Sequence, residues 1–323
     1  MLSAGIDAGS SRWSIAFLTD GKLSAYREMG SAEAKRRTRR IADLVAAADV
    51  VAAPSGYGLP LTHVSKLTAR DFRLLAFKRE RESILGLTAL LRELKQRGIN
   101  AYVLPGAKHL PTVPDWRKIN KLDLGTPDKV AACACAIATL ARKKSIRFDE
   151  TTFLFAELGS FFNAFLTVEE GRIIDGVGGS CASMGWRARG AVDSELVGKM
   201  AGGRMAGKRF VFSGGVIDAR RACRDAERAY WEGVLKDLAR LRVALDAKEV
   251  VLSGALAGKA KEKLEVLGAG FSFFDLQGYW HGRKPAAIGA AMLADGIAGG
   301  EFHPLFDCME IDGASGSILD FVV

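Results

Sequence analysis

Apolar and polar positions follow one another along this chain in an order that predicts a mixed α/β fold. Three apolar runs near the N-terminus, separated by short polar turns, predict strands, and the amphipathic stretches after them predict helices between further strands. Ser31 is a candidate helix cap, and Gly98 follows a predicted helix where a C-cap glycine is expected. The predicted elements are strands 2–6, 13–18, 22–29, 50–53 and 101–104, and helices 31–48 and 79–97.

The second half of the chain predicts the same order of elements. Its helix start at Thr126-Pro127-Asp128 combines an N-cap threonine, a proline at the first helical position and an acid in the first turn. The predicted elements are helix 126–141, strands 152–157, 161–168 and 172–177, helix 218–245, strands 249–252 and 271–275, and a helix from 285. A duplication of this size predicts two related α/β domains that face each other across a cleft.

Composition and charge restrict the function classes. The 323 residues are 49% hydrophobic with a net charge of +9, which is typical of a globular protein with an anionic partner or an electropositive cleft. The basic runs 35–40 and 78–81 contain no interleaved aromatic residues, so they favour solvated helix faces over a nucleic-acid partner.

Cysteines and apolar runs bear on the compartment. The five cysteines form no C-x-x-C pair, and their odd number suits a reducing cytosol. We see no signal peptide and no apolar run of membrane-spanning length, so we expect a cytoplasmic protein without a membrane partner. The oligomeric state is left open, with a homodimer as one alternative.

Each half begins with a strand that ends in an acid, one residue and a glycine: Asp7-Ala8-Gly9 and Glu157-Leu158-Gly159. Backbone N–H groups and hydroxyls of such a turn can hold phosphate oxygens, while the two carboxylates orient Mg²⁺. A side chain at either glycine would keep the backbone away from a phosphate. An ordinary turn is the alternative at each position taken singly, and the repetition favours a phosphate site.

Two further features are rich in small residues. The stretch 249–258 runs from an apolar strand through Ser253-Gly254-Ala255 into a helix. Such a turn allows a flat ring or a phosphate to approach the backbone closely, and an ordinary β–α turn is the alternative. Neither G-x-G-x-x-G nor a Walker A motif occurs. The Ala/Gly-rich helices around 129–134 and 285–294 are predicted to cross at short distance as a hinge that permits closure over substrate.

These five pieces (GIDAGSSRW, the Ala-rich helix after 126, FAELGSFFNAF, VVLSGALAG and PAAIGAAMLA) occur in the order seen in the acetate and sugar kinase/heat-shock/actin (ASKHA) superfamily. The chain resembles that superfamily from Gly5 to Ala294. The resemblance implies two duplicated actin-like, ribonuclease H-like domains facing a nucleotide cleft, with ATP and Mg²⁺ as cofactors. We expect the N-terminal domain at 1–125, with 286–323 packing back on it, and the C-terminal domain at 126–285.

One stretch resembles a narrower group. Residues 110–138 look like the signature of a largely archaeal family labelled predicted butyrate kinases, and 184–197 is faintly similar to the MGTRSGD-type stretch of acetate and butyrate kinases. Ala188 and Ala191-Val192 interrupt that second pattern. The resemblance implies a kinase that transfers phosphate from ATP to a small acceptor, with a short-chain carboxylic acid as the candidate.

The resemblance also implies roles by position. Asp7 and Glu157 would orient the metal, and glutamate at 157, in place of the commoner aspartate, favours contact through water. The residues expected to contact nucleotide are Gly9, Ser10, Ser11, Arg12, Gly159, Ser160, Gly254 and Ala255. Asp128 matches the position of a catalytic base, although an ionised carboxylate acceptor needs no base. Two other roles for Asp128 stay open: it can hold a metal ion or Lys129, or it can only stabilise the first turn of its helix. The candidates for substrate binding are Arg117, Lys129, Arg187 and Arg189, with His63 and His109 as weaker candidates.

Two other functions remain as alternatives: an ATPase switch that activates a partner protein, and a binding protein with this fold and no catalysis. ADP release that depends on one small acceptor favours a kinase, whereas slow acceptor-independent hydrolysis stimulated by a protein favours a switch.

Overall fold

Two β-sheets organise the chain in this computed structural model, which describes residues 1–76, 86–201, 208–267 and 270–323. The basic run 78–81 and the start of the predicted helix 79–97 lie outside the described residues. The strands are β1 Leu2–Ala8, β2 Arg12–Thr19, β3 Lys22–Gly30, β4 Val50–Ala53, β5 Thr62–His63, β6 Ala101–Val103, β7 Phe153–Leu158, β8 Asn163–Glu169, β9 Arg172–Val177, β10 Glu249–Ser253 and β11 Ser272–Asp275.

The two sheets repeat one strand order. The first sheet has the order β3-β2-β1-β4-β6-β5 and the second the order β9-β8-β7-β10-β11, so the second matches the first five strands of the first. In each sheet the first strand along the chain, β1 or β7, pairs in parallel with the strand that follows the first helical connection, β4 or β10. The predicted α/β fold class and its internal duplication are therefore confirmed.

The described helices alternate with these strands. They are α1 Ser31–Arg36, α2 Thr38–Val45, α3 Ala69–Ala76, α4 Leu87–Gln96, α5 Asp115–Lys118, α6 Pro127–Lys144, α7 Ser194–Ala201, α8 Lys208–Val211, α9 Val216–Ala219, α10 Ala226–Leu241, α11 Ala257–Val266, α12 Leu276–Tyr279, α13 Pro285–Ile297 and α14 His303–Cys308. Single 3₁₀ turns lie at Val64–Lys66, Ala107–His109 and Phe148–Glu150. Gly98 adopts a positive φ of 64° just after α4, as the C-cap prediction requires.

Two helix predictions were wrong in extent. The helix predicted at 31–48 is α1 and α2, because Arg37 between them leaves helical geometry with φ −118° and ψ 35°. The helix predicted at 218–245 is α9 and α10, separated by 220–225, whose residues are all exposed. Because none of these residues is buried, Ala222 and Cys223 included, that stretch gains little from tertiary packing, which supplies most of the stability of a helix.

Ser31 is not the cap of α1. Gly30 is the N-cap residue, and the Ser31 hydroxyl donates instead to the carbonyl oxygen of Gly9, at 2.7 Å. The Ser31 backbone N–H donates to the Ser11 carbonyl oxygen, at 3.1 Å. Ser31 therefore fastens the turn between β1 and β2, a tertiary contact that local capping rules do not predict.

The chain divides into two compact units. Unit 1 comprises Met1–Thr151, Val168–Ile174 and Arg283–Val323, and unit 2 comprises Thr152–Thr167 and Asp175–Gly282. Unit 1 buries residues such as Trp13, Ile41 and Leu91 in one core, and unit 2 buries Phe165, Tyr230 and Val250 in another. The domain limits expected from the sequence stay a prediction. Across the described ranges, every helix is too short or too polar to span a bilayer.

Within unit 1, α13 packs against strand β1 and helix α6 through backbone. A Cβ placed on Gly5 would lie 2.1 Å from the backbone nitrogen of Ala291, and one on Gly289 would lie 1.7 Å from the carbonyl oxygen of Ala131. The Ser3 hydroxyl donates to the carbonyl oxygen of Ala291, at 3.0 Å. The predicted close crossing of the two small-residue helices is confirmed, and its role as a hinge stays a prediction.

His109 lies in the interior of unit 1 and gives a pH prediction. It is 1% exposed, and within the described ranges its two ring nitrogens have no hydrogen-bond partner. Burial lowers its pKa to about 4 from an ordinary 6.5, so the unfolded chain takes up a proton between these pH values that the folded chain does not. The free energy of unfolding should therefore decrease by about 3 kcal/mol as the pH falls from 6.5 to 4.

Denaturant unfolding of the wild type and of His109→Phe, between pH 4 and 7, measures this loss. The difference in free energy of unfolding between the two proteins should shift by about 3 kcal/mol across that range. His303→Gln, at a half-exposed histidine, is the matched control and should follow the wild type. Parallel pH profiles for the wild type and His109→Phe would contradict the prediction.

Candidate functional site

A buried carboxylate ends the first strand of unit 1. Asp7, 6% exposed, accepts a hydrogen bond and ion pair from the Lys284 ammonium at 2.7 Å. The same ammonium donates to the carbonyl oxygen of Arg12, at 3.0 Å. Two oxygens, one from each side of the β1–β2 turn, therefore converge on one cation.

The turn itself requires glycine. A Cβ on Gly9 would lie 2.2 Å from the Lys284 Nζ and 2.7 Å from the Arg12 carbonyl oxygen. The ammonium therefore lies directly against the Gly9 backbone, in space that any other residue would fill. Ser10 and Ser11, which follow Gly9 in the same turn, are exposed residues.

The start of α6 adds a second pair of charges in unit 1. The Asp128 carboxylate pairs with the Lys129 ammonium and accepts a hydrogen bond from the Thr126 hydroxyl, at 2.5 Å. Burial acts to raise the pKa of Asp128, but the Lys129 ammonium outweighs it and Lys284 adds to its effect, so the pKa is lowered. An aspartate in this state is a strong hydrogen-bond acceptor and a weak base.

The ion pairs Asp7–Lys284 and Asp128–Lys129, linked by the electrostatic effect of Lys284 on Asp128, are together called the charge cluster. Its net charge is zero when all four residues are ionised. The contacts at Gly5 and Gly289 hold α13 against β1 and α6, and they thereby fix the Lys284 backbone next to the end of β1. The packing of small residues thus places the charges.

Sequence reasoning missed Lys284, although the chain contains a signal for it. Lys284 is the N-cap residue of α13, followed by Pro285 at the first helical position. A cation is unfavourable at a helix N-terminus because the helix dipole is positive there. A lysine at such a position therefore predicts a compensating carboxylate nearby, which is Asp7.

Glu28 organises the outer side of the turn. Its carboxylate accepts from the Arg12 guanidinium at 3.2 Å, the Ser14 hydroxyl at 3.2 Å and the Tyr26 hydroxyl at 2.8 Å. The Tyr26 hydroxyl also accepts from the Lys284 backbone N–H at 2.8 Å, and burial raises the pKa of Tyr26 to about 12. Arg12, expected to contact phosphate, is largely exposed in this ion pair with Glu28.

The charge cluster has donor chemistry that suits a magnesium ion. Asp7 Oδ2 and the Arg12 carbonyl oxygen are hard oxygen ligands aimed at one point, and Lys284 shows that a cation is stable there. Within the described ranges, no three or more His, Cys, Asp or Glu residues are grouped to hold a metal. Proteins usually hold Mg²⁺ through one or two carboxylates together with phosphate oxygens and water.

Unit 2 contains the second acid-x-Gly turn. Glu157 lies at the end of β7 and pairs in register with Ser253 of β10, and the Gly159 backbone N–H donates to the Phe162 carbonyl oxygen at 3.1 Å. Gly254 has φ 95°, and a Cβ there would lie 2.5 Å from the Leu158 carbonyl oxygen. The structure therefore packs the turn that carries Gly159 and Ser160 directly against the turn that carries Gly254 and Ala255.

The arginines predicted to bind substrate have structural partners. The Arg187 guanidinium lies 5.7 Å from the centre of the Phe161 ring, next to Ser160. The Arg189 guanidinium lies 4.5 Å from the Phe210 ring and donates to the Phe210 carbonyl oxygen at 3.3 Å. Arg117, in unit 1, donates to the Ile174 carbonyl oxygen at 2.7 Å. Their substrate roles stay predictions.

The segment 108–120, which includes Arg117 in α5, is tied to the C-terminal segment of unit 1. The ammonium of the buried Lys108 donates to the carbonyl oxygens of Ile318 and Asp320, both at 2.6 Å, and burial lowers its pKa. The Asn120 backbone N–H donates to the Phe321 carbonyl oxygen, at 2.8 Å. His63 is placed elsewhere, with its Nδ1 2.6 Å from the Ser65 hydroxyl and its ring against Tyr102.

Comparison with known proteins adds a family. A family model described as "Protein of unknown function (DUF1464)" matches residues 5–323. The chain belongs to the DUF1464 family. A search of curated proteins found no match to this DUF1464 chain.

Solved structures resemble the DUF1464 chain over most of its length. The acetate kinase of Porphyromonas gingivalis is 13% identical with a TM-score of 0.53, over 81% of this chain and 87% of that one. The acetate kinase of Entamoeba histolytica is 12% identical with a TM-score of 0.51, over 83% and 88%. The Lmo2764 protein of Listeria monocytogenes, a proposed N-acetylmannosamine kinase, is 11% identical with a TM-score of 0.51, over 95% and 99%. At these identities the likeness shows the fold alone: the DUF1464 chain shares the two-sheet α/β fold of these structures.

Proposed function

We propose that this DUF1464 protein is an ATP- and Mg²⁺-dependent phosphotransferase that acts on a small acceptor, with a short-chain carboxylic acid as the preferred class. The observation that carries the proposal is the charge cluster of an acetate kinase-like fold: the buried Asp7 is paired with Lys284 beside a glycine turn at the end of the first strand, and Asp128 is paired with Lys129 at the start of α6. The DUF1464 model describes a family of unknown function and names no reaction. The choice of a carboxylic acid as acceptor is therefore based on the sequence resemblance to predicted butyrate kinases.

The cluster suits phosphoryl transfer because this reaction depends on positioning and on neutralisation of negative charge. The ammoniums of Lys284 and Lys129 can each donate to phosphate oxygens while they stay close to Asp7 and Asp128. Mg²⁺ held at Asp7 would neutralise charge on the phosphate oxygens. The exposed Ser10 and Ser11 belong to the turn that Ser31 fastens, and this turn can present N–H groups to an anion.

The chemistry needs no base from the protein when the acceptor is an acid. An ionised carboxylate oxygen attacks the γ-phosphorus, the bond to the β–γ bridging oxygen breaks, and ADP leaves with that electron pair. Asp128, with its lowered pKa, fits a residue that holds Lys129 in place better than one that removes a proton. The roles of Glu157, Gly159, Ser160, Gly254 and Ala255 at the nucleotide remain part of the proposal.

ADP release tests the proposal directly. The wild-type protein is incubated with Mg-ATP and, in separate reactions, with acetate, propionate, butyrate, glucose or glycerol. We expect one carboxylate to raise ADP release at least about tenfold over the rate without acceptor, with formation of an acyl phosphate that hydroxylamine converts to a hydroxamate. ADP release that rises with an alcohol alone would contradict the acid class. The absence of ADP release with every acceptor would contradict the kinase assignment.

A further inference from the structure

Lys284 occupies the oxygens that a metal would use at Asp7. Its Nζ contacts Asp7 Oδ2 at 2.7 Å and the Arg12 carbonyl oxygen at 3.0 Å. A divalent cation at the same oxygens would lie within a few ångströms of the ammonium, and like charges at this distance repel strongly in a partly buried site. Lys284 and a metal ion therefore cannot both use these two oxygens.

We propose that Lys284 is a positioning residue that excludes Mg²⁺ from Asp7 until a polyphosphate binds and accepts its ammonium. The proposal rests on the proposed function for the identity of the polyphosphate, and on the geometry of Asp7, Arg12 and Lys284 for the competition. It makes metal binding at Asp7 conditional on nucleotide.

The position of Lys284 is fixed while its ammonium can move. Its backbone N–H donates to the Tyr26 hydroxyl, and Pro285 restricts the backbone before α13. The side chain is 29% exposed, whereas that of Asp7 is 7% exposed. The ammonium can therefore leave Asp7 toward solvent and return, while the carboxylate cannot follow it.

The same ammonium is well placed to meet a phosphate. It lies against Gly9, where a Cβ would be 2.2 Å away, so an anion bound by the backbone of Gly9 to Ser11 lies within its reach. Transfer of the ammonium from Asp7 to a phosphate oxygen replaces one charge-assisted hydrogen bond with another. The Asp7 carboxylate is then open to the Mg²⁺ that accompanies the nucleotide.

Calorimetric titration of Mg²⁺ without nucleotide tests the competition. In the wild type and in Lys284→Arg, which keeps the cation, we expect weak or no binding. In Lys284→Met we expect Mg²⁺ to bind at least about tenfold more tightly and to raise the melting temperature, since Asp7 then lacks its cation. In the double variant Asp7→Asn, Lys284→Met the response to Mg²⁺ should disappear.

Two controls keep the experiment decisive. Lys236→Met removes the ammonium of a surface ion pair, in which the Lys236 Nζ lies 2.6 Å from the Glu232 Oε1. This variant should leave Mg²⁺ binding unchanged. Lys284→Gln, which keeps an N–H donor for Asp7 without the charge, replaces Lys284→Met if that variant shows no cooperative unfolding. Equal Mg²⁺ affinity in the wild type and the uncharged variants overturns the proposal.

The proposed function fails separately. If the uncharged variants bind Mg²⁺ as expected but the wild type binds no Mg-ATP, the competition stands and the assignment of the polyphosphate as ATP is wrong. If the wild type binds Mg-ATP and the uncharged variants gain no affinity for Mg²⁺ alone, the function stands and the role of Lys284 is wrong.

Discussion

Asp7→Asn is expected to lower Mg²⁺-dependent ADP release at least about a hundredfold while the chain stays folded. The substitution keeps the size of the side chain and removes the charge that holds the Lys284 ammonium at 2.7 Å. It also removes the only side-chain oxygen ligand that we assign to Mg²⁺ in unit 1. Because Lys284 is partly exposed, its unpaired ammonium can turn to solvent, so we expect a smaller effect on stability than on turnover.

The measurement is steady-state ADP release at saturating Mg-ATP with the best acceptor, together with thermal unfolding. Asp20→Asn is the matched control, because Asp20 also forms an ion pair but is 78% exposed on the β2–β3 turn. The control should retain wild-type turnover. Wild-type turnover in Asp7→Asn would show that the charge cluster has no part in the reaction.

Gly289→Val is expected to abolish the cooperative folding of unit 1 or to lower its free energy of unfolding by more than about 3 kcal/mol. A Cβ at this position would lie 1.7 Å from the Ala131 carbonyl oxygen and 3.0 Å from the Cys135 backbone nitrogen. Both atoms belong to the backbone of α6, so relief requires the two helices to separate. Separation would also move Lys284 at the start of α13.

Denaturant unfolding followed by circular dichroism measures this effect. Gly198→Val is the matched control, because Gly198 lies in α7 and a Cβ there meets nothing within 4 Å. The control should leave the free energy of unfolding unchanged or raise it by a few tenths of a kcal/mol, roughly, because valine has a higher helix propensity than glycine. If Gly289→Val unfolds at the denaturant concentration of the wild type, the close crossing of α6 and α13 is wrong.

The order of strands along both halves of the chain could be predicted because most of the strands are apolar runs bounded by turn residues. The Asp20-Gly21 turn has both residues at positive φ, 47° and 69°, as a two-residue hairpin requires. The acid-x-Gly turn then followed from its repetition after β1 and β7. Local chemistry was sufficient for these features.

The remaining features depend on contacts between segments that are distant in sequence. Ser31 has the composition of a helix cap, yet its hydroxyl binds Gly9, which is 22 residues away. Lys284 reaches Asp7, 277 residues away, because the backbone of α13 packs on β1 at Gly5. The chain shows small residues in both segments, but their pattern does not say which backbones meet.

In the proposed function, the charge cluster of unit 1 belongs to a nucleotide site. Calorimetric titration of Mg-ATP into the wild type, Asp7→Asn and Asp20→Asn tests it most directly. We predict saturable binding by the wild type and Asp20→Asn, and affinity reduced at least about tenfold in Asp7→Asn. Absence of Mg-ATP binding by the wild type, or equal affinity in all three proteins, would contradict the claim.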